Sequence, residues 1–234
     1  MKVKPFHFKK FTIHQDRCAL KVGTDGVLLG AWANCQNSNT ILDIGSGTGV
    51  ISLMLAQRSN ATITAIEIDK AASEQCKENF ENSPWSHRLT EIQESIQKFV
   101  FKSTNKFDLI VSNPPFYSIQ KETTQRSTAR SEQELNLAEL FSSVNELLRS
   151  NGTFCLIFPS NRKDELLEIA AKVGLNPSKI CKVRGNPNTE VKRLLIEFKY
   201  GKQLLEETQL TIERERHDYT EDYKKLLKDY LTIF

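Results

Sequence analysis

Thr40-Ile41-Leu42-Asp43-Ile44-Gly45-Ser46-Gly47-Thr48-Gly49-Val50, continued by Ala61 to Glu67, is the stretch whose reading decides the fold. Thr40 to Ile44 is an apolar run of strand length, and Val50 to Gln57 reads as a helix. Three glycines at alternate positions join the two, so the chain turns directly from strand into helix. Such glycines accept left-handed backbone angles and let a ligand approach the main chain closely. Ala61 to Glu67 is rich in β-branched residues and ends on an acid, which predicts a second strand. Strand, turn, helix and strand in this order make the repeating unit of a parallel sheet.

The pattern continues outward from that unit. Lys70 to Asn82 is helical and stops before Pro84, while Leu89 to Gln93 and Phe107 to Ser112 are strand-like. Leu137, Leu140, Phe141, Val144, Leu147 and Leu148 follow helical spacing, and Gly152 is expected to break that helix before a buried strand, Thr153 to Phe158. Leu166, Ile169, Ala170 and Val173 mark a further helix. Ser178 to Arg184 and Val191 to Lys199 flank Gly185-Asn186-Pro187-Asn188, which predicts an antiparallel hairpin. Thr220 is placed to cap a last helix running to Tyr230. The fold class expected is α/β, with a mostly parallel seven-stranded sheet, an antiparallel C-terminal hairpin and helices on both faces.

The 234 residues, 39% hydrophobic and 26% charged, suffice for one large domain with a substantial core and exclude disorder as the main state. No apolar run nears the ~20 residues of a membrane span, and Met1 to Lys10 lacks the apolar stretch of an export signal. Cys18, Cys35, Cys76, Cys155 and Cys181 are odd in number and never paired as CxxC. Neither disulfides nor a cysteine zinc site is expected, which fits a reducing cytoplasm. His7, His14, His87 and His217 have no metal-ligand spacing, so no metal is expected. Trp32 and Trp85 read as packing residues.

The net charge of +3 is unevenly spread: residues 1–21 carry +5, 102–130 carry +3 and 177–202 carry +5. Any one of these could be a solvated face. Three of them separated by acidic segments suggest a side facing a polyanion, if folding brings them together.

Glu67 is placed to accept hydrogen bonds from two ribose hydroxyls. A nicotinamide dinucleotide site would require GxGxxG, whereas here the spacing is GxGxG and position 50 is Val. With Asp43 at the strand end, the turn from Asp43 through Gly45, Gly47 and Gly49 resembles the S-adenosylmethionine version of the motif. In that superfamily an Asp or Asn after the third strand binds the cofactor's adenine. Ser95 is the nearest match here, with Glu94 beside it.

Asn113-Pro114-Pro115-Phe116 follows a strand and should lie at its carboxyl end, beside the cofactor crevice. An exocyclic amine is a poor nucleophile because its lone pair is delocalised into the ring. The Asn113 side-chain oxygen and the Pro114 carbonyl can accept its two N–H groups and expose that lone pair, with the prolines fixing the aim. Phe116 offers a flat face for a base taken out of its stack.

The Asp-x-Gly-x-Gly-x-Gly and Asn-Pro-Pro-Phe motifs together resemble amino-methyltransferases acting on adenine N6, guanine N2 or glutamine. The segment Lys21-Val22-Gly23-Thr24-Asp25-Gly26-Val27-Leu28-Leu29-Gly30-Ala31-Trp32, with Phe11 to Leu20 and Tyr219 to Phe234, resembles the tRNA(Val) adenine-N6-methyltransferases. That resemblance implies a Rossmann-like class I methyltransferase that modifies the adenine 3′ of the anticodon. It also implies that Thr24 and Asp25 wall the methyl-donor pocket. Residues 1–39 are then an extension packing on the cofactor site, and 40–234 the methyltransferase domain. Lys9, Lys10, Arg126, Arg130, Lys192 and Arg193 are the candidate phosphate contacts of a tRNA, and a monomer is expected. A protein glutamine N5-methyltransferase and a cofactor-regulated RNA-binding protein without turnover stand as alternatives.

Overall fold

Two short antiparallel strands, β1 (Phe6–His7) and β2 (Thr12–Ile13), precede helix α1 (Thr24–Trp32) in the computed structural model, which describes residues 3–115 and 136–234. The alternating segment then follows the sequence closely. It runs β3 (Thr40–Ile44), α2 (Val50–Arg58), β4 (Thr62–Glu67), α3 (Lys70–Glu81), β5 (Leu89–Gln93), α4 (Ile96–Lys102) and β6 (Phe107–Ser112). After residue 136 come α5 (Leu137–Leu147), β7 (Leu148–Pro159), α6 (Lys163–Lys172), β8 (Leu175–Arg184) and β9 (Val191–Tyr200). The chain closes with β10 (Glu206–Thr211), the small hairpin β11 (Glu213–Glu215) and β12 (Asp218–Tyr219), and α7 (Glu221–Leu227). Asp69, Ser95, Asn136 and Thr220 each accept a first-turn amide and so start α3, α4, α5 and α7.

The main sheet has the order β10-β8-β9-β7-β6-β3-β4-β5, and β9 alone runs against its neighbours. The expected fold class holds, with one strand more than the seven read from the sequence. The eighth, β10, is an edge strand whose residues are mostly exposed, so Glu-Glu-Thr-Gln carries no apolar signal. Gly152 departs from its expected role: α5 ends at Leu147 and β7 starts at once, leaving Gly152 within the strand. A Cβ there would lie 2.7 Å from Leu148 Cδ1 and 2.9 Å from the Arg149 carbonyl, so the tight backbone at this irregular start of β7 admits only glycine. The last helix also stops earlier than expected, at Leu227.

Alternation along buried strands divides the core in two. Ile41, Ile63, Leu109 and Ile157 face α1, α2, α3 and α7, whereas Leu42, Ile66, Ile110 and Phe158 face α4, α5 and α6. On the second side Phe141 packs edge-to-face on Phe154 and Phe198, at 5.3 and 5.4 Å. On the first side the two ends of the chain meet: Phe8 pairs with Leu231, and the Tyr230 hydroxyl donates to the Met54 carbonyl at 3.2 Å. Trp32 and Trp85 are partly buried against this core, Trp85 edge-on to Phe11 at 5.8 Å.

Helix α1 crosses α2 where Gly30 faces Met54. A Cβ on Gly30 would lie 2.8 Å from Met54 Sδ and 3.0 Å from Met54 Cβ, and the latter cannot swing aside. Gly30→Ala is therefore expected to overpack the crossing and destabilise the protein by about 1–3 kcal/mol, despite alanine's better helix propensity. Denaturant unfolding measures the change, and a stabilised variant would contradict it.

Candidate active site

The seven parallel strands all end on one edge of the sheet, and β9 begins there. The turn after β3 opens the site on this edge. Gly45, Gly47 and Gly49 have φ values of 72°, 54° and 80°, the left-handed region that glycine enters at little cost. A Cβ on Gly45 or Gly47 would meet nothing within 4 Å, so both present bare backbone to open space. Gly49 is closed in instead: its Cβ would lie 2.7 Å from the Phe80 ring and 2.8 Å from Cys76 Sγ, both on α3.

Gly49 caps α2 but has no side chain to satisfy the first-turn amides. Asp43 performs that task from within the sheet: its Oδ2 accepts from Ser52 N at 3.2 Å and Ser52 Oγ at 2.7 Å. Asp43 is fully buried, and Oδ1 has no partner among the described residues. Burial pushes its pKa up to about 6 against the lowering effect of the Ser52 bonds, and the Glu67 charge adds a smaller increase. Asp43, expected as a cofactor contact, supports the turn through Ser52.

Glu67, at the end of β4, ties the crevice together. Its Oε2 accepts from Gly47 N and its Oε1 from Asp69 N, each at 2.9 Å. Both oxygens keep lone pairs for further donors. The end of β5 adjoins, since Glu94 N donates to the Glu67 carbonyl at 3.0 Å. Ser95 follows, with its hydroxyl accepting from Lys98 N at 3.4 Å, while Glu94 pairs with Lys102.

Asn113 directly follows β6, where Ser112 Oγ donates to the Ile44 carbonyl at 2.9 Å and clamps the ends of β6 and β3 together. The Asn113 Oδ1 atom is buried and has no hydrogen-bond partner among the described residues. Helix α1 backs this position: a Cβ on Gly26 would lie 3.4 Å from Val50 Cγ1 and 3.9 Å from Asn113 Nδ2. Pro114 and Pro115 continue the loop. Phe116, Arg126 and Arg130 lie outside the described residues.

The candidate cations separate. Arg193, at the start of β9, donates through Nε to Asp25 Oδ2 at 2.8 Å, joining the first turn of α1 to the C-terminal hairpin on the crevice edge. Exposed Lys192 is its neighbour. Lys9 lies elsewhere and is committed: its Nζ donates to the carbonyls of Lys228 and Phe234, at 2.6 Å each. Lys10 lines a separate concavity with Gln57, Arg58 and Tyr230. That places it at the far end of α2, ~13 Å of helix from the glycine turn. Lys9 and Lys10 therefore lie away from Asn113. A concavity of about 1000 Å³ is lined by Thr40, Lys106 and Arg149 at the amino ends of the strands, remote from these residues.

Sequence reasoning missed Ser52, Gln75 and Asn79. The signal available was polarity on an otherwise buried helix face, since Gln75 and Asn79 share one face of α3 with Cys76 and Phe80. Among the described residues no group of three or more His, Cys, Asp or Glu could hold a metal, all five cysteines are free, and no helix is long and apolar enough to cross a membrane.

The family model described as methyltransferase small domain matches residues 22–170. The tRNA1(Val) (adenine(37)-N6)-methyltransferase of Christiangramia forsetii is 48% identical to this chain, over 98% of each protein. Its counterpart in Bacteroides fragilis is 43% identical over 96% of each. Among solved structures, a predicted O-methyltransferase of Agrobacterium tumefaciens superposes with a TM-score of 0.67 at 18% identity, over 88% of this chain and 96% of that one. This last likeness concerns the fold.

Asp43 gives the site a pH signature. Its folded-state pKa lies above the unfolded one, so between about pH 4 and 6 the folded chain holds a proton that the unfolded chain releases. The associated stability is full below this window and lost as pH rises through it. Asp43→Asn, which cannot ionise, should gain on the parent chain by ~2–3 kcal/mol between about pH 4 and pH 7.5. Denaturant unfolding of both chains at the two pH values gives the difference. An equal gap at both would show that the buried carboxylate is not disfavoured.

Proposed function

Because this chain belongs to the tRNA1(Val) (adenine(37)-N6)-methyltransferase family, we propose that it transfers a methyl group from S-adenosylmethionine to N6 of adenine 37, 3′ of the anticodon in tRNA(Val). The observation that carries the reading is the Oδ1 of Asn113 beside the glycine turn, buried and without a partner among the described residues. Leaving such an acceptor unpaired costs about 1–3 kcal/mol. A substrate N–H is the group that would satisfy it.

The residues present fit the cofactor. Gly45 and Gly47 leave room against the backbone, Glu67 retains acceptor capacity for a ribose, and Ser95 follows Glu94, whose amide bonds the Glu67 carbonyl. Thr24 and Asp25 close the same edge from α1. Bound S-adenosylmethionine supplies a methyl group on a sulfonium, a leaving group that needs no general acid. The protein's part is to hold the amine. Asn113 Oδ1 accepts one N–H and the Pro114 carbonyl the other, drawing the nitrogen toward tetrahedral geometry and turning its lone pair toward the donor. Pro115 fixes the loop that carries both acceptors.

Lys192 and Arg193 are assigned to the RNA backbone, since both start β9 on the crevice edge; Lys9 and Lys10 are left to the chain ends. Residues 1–39 serve as an extension over the cofactor site and 40–234 as the catalytic domain. Action as a monomer in a reducing cytoplasm belongs to the same proposal, the reducing environment being supported by five unpaired, buried cysteines. The names of the relatives favour a tRNA adenine over a protein glutamine as methyl acceptor.

The test is to supply labelled methyl donor with unmodified tRNA and, separately, with protein extract, and to identify the methylated nucleoside or amino acid. N6-methyladenosine is expected, and label found only in protein would eliminate the tRNA reading. Asn113→Ala should lower the transfer rate ~10²-fold or more while leaving cofactor affinity nearly unchanged. A folded, cofactor-binding Asn113→Ala enzyme of near-normal rate would remove the mechanism.

A further inference from the structure

Asn79 is 1% exposed and uses three of its hydrogen-bonding positions on two separate pieces of backbone. Its Oδ1 accepts from His14 N at 2.8 Å, and its Nδ2 donates to the His14 carbonyl at 2.8 Å. The same Nδ2 donates its other hydrogen to the Thr48 carbonyl at 2.9 Å, inside the glycine turn. One turn earlier on α3, Gln75 is fully buried and its Oε1 accepts from Arg17 N at 3.0 Å. Cys76 and Phe80, on the same face, are the groups that press on Gly49. One helix face therefore templates the glycine turn and docks the segment leading into α1.

That segment reaches over the crevice. Arg17 pairs with Glu78 on α3, and Val22 N donates to Gln15 Oε1 at 2.8 Å, folding the segment back on itself. Cys18 is buried close enough to Glu67 and Asp69 for their charges to add to burial in raising its thiol pKa to about 11. The segment ends at Gly23, where α1 begins with Thr24 and Asp25.

We propose that Asn79 is a positioning residue for the cofactor, latching the His14–Val22 segment and the glycine turn together so that the methyl-donor crevice is complete only when that segment is docked. A carboxamide is the side chain suited to this, because it offers His14 the donor and acceptor pair of a neighbouring strand and still has a hydrogen for Thr48. Aspartate would keep only the bond from His14 N and place a carboxylate against two carbonyls. Leucine would make none of the three bonds and leave the backbone groups of His14 and Thr48 buried without partners. Latch and cofactor are then coupled reciprocally: whatever docks the segment favours the cofactor, and the cofactor favours docking.

The inference rests on the crevice holding S-adenosylmethionine, so the parent chain is measured first by calorimetry. No binding by the parent would overturn the reading of the crevice and this inference with it. With binding established, Asn79→Ala should weaken S-adenosylmethionine affinity about tenfold or more, the scale of one or more lost buried hydrogen bonds. Asn79→Asp should behave likewise. The KM for tRNA and the kcat at saturating cofactor should stay within about threefold of the parent, a split that general loss of structure does not produce. Hydrogen exchange supplies a readout independent of activity: the His14 and Arg17 amides should exchange faster in the variant, and saturating cofactor should slow them in the parent. A folded Asn79→Ala chain with parental cofactor affinity would overturn the inference alone. So would equal losses in cofactor affinity, tRNA KM and kcat together with a collapse in melting temperature. Should Asn79→Ala not fold, Gln75→Leu removes the Arg17 bond and a long one to Glu78 at 3.4 Å while leaving the Asn79 bonds in place; it must then weaken cofactor binding in the same direction, and parental affinity there would overturn the inference.

Discussion

The contact on which the site depends is that of the Asp43 carboxylate with the first turn of α2. A turn that offers bare backbone at Gly45 and Gly47 must leave the strand through left-handed angles, and the last left-handed position, Gly49, is also the helix cap. The residue best suited to the backbone is thus the one least able to satisfy the helix. Asp43 resolves this because alternation along β3 turns it toward the side where α2 begins, and Ser52 meets it with both an amide and a hydroxyl. The arrangement holds a carboxylate out of water, which a chain selected for stability alone would avoid. It makes sense as the cost of an open turn.

The second constraint is topological. In a parallel sheet all carboxyl ends share an edge, so Gly45, Glu67, Ser95 and Asn113 converge although they span 69 positions of sequence. The antiparallel strand adds what that rule cannot. Because β9 enters from the crevice edge, Lys192 and Arg193 arrive beside the others from far along the chain, and Arg193 meets Asp25 across 168 positions. The ion pair is about one-third exposed on both sides, so its Coulomb attraction is modest. Its value is geometric: it ties the segment before the sheet to the strand that closes it.

Much of this was legible in the sequence because the signals were local. The glycine turn, the β-branched strand ending on Glu67 and the Asn-Pro-Pro loop each declare themselves within a few residues. What was not legible needed partners distant in sequence. Lys9 and Arg193 both read as candidate phosphate contacts, and only the folded chain shows Lys9 spanning the carbonyls of Lys228 and Phe234 and Arg193 facing Asp25. Strand β10 was invisible for another reason: an exposed edge strand is held by main-chain bonds to β8, and its side chains need no pattern. Gln75 and Asn79 drew no notice in a helix read only from its spacing, since sequence does not reveal that a second segment covers their face.

The two asparagines near the crevice show how the same side chain comes to opposite uses. Asn79 is sealed, and its oxygen and both amide hydrogens meet backbone groups, so it holds other parts in place and has nothing left to offer a ligand. Asn113 is also largely enclosed, yet its oxygen is buried without a partner among the described residues. A buried carboxamide satisfied within the chain lowers the energy of the free protein; one left short by a single bond raises it, and recovers that energy only when something else supplies a donor. Amine chemistry needs an acceptor already aimed and not already occupied, and an acceptor in that condition stays aimed only if its surroundings are rigid. Ser112 clamping β6 to β3 and Gly26 bringing α1 against Asn113 provide that rigidity from two directions. The satisfied polar groups are therefore the condition under which the unsatisfied one can be kept.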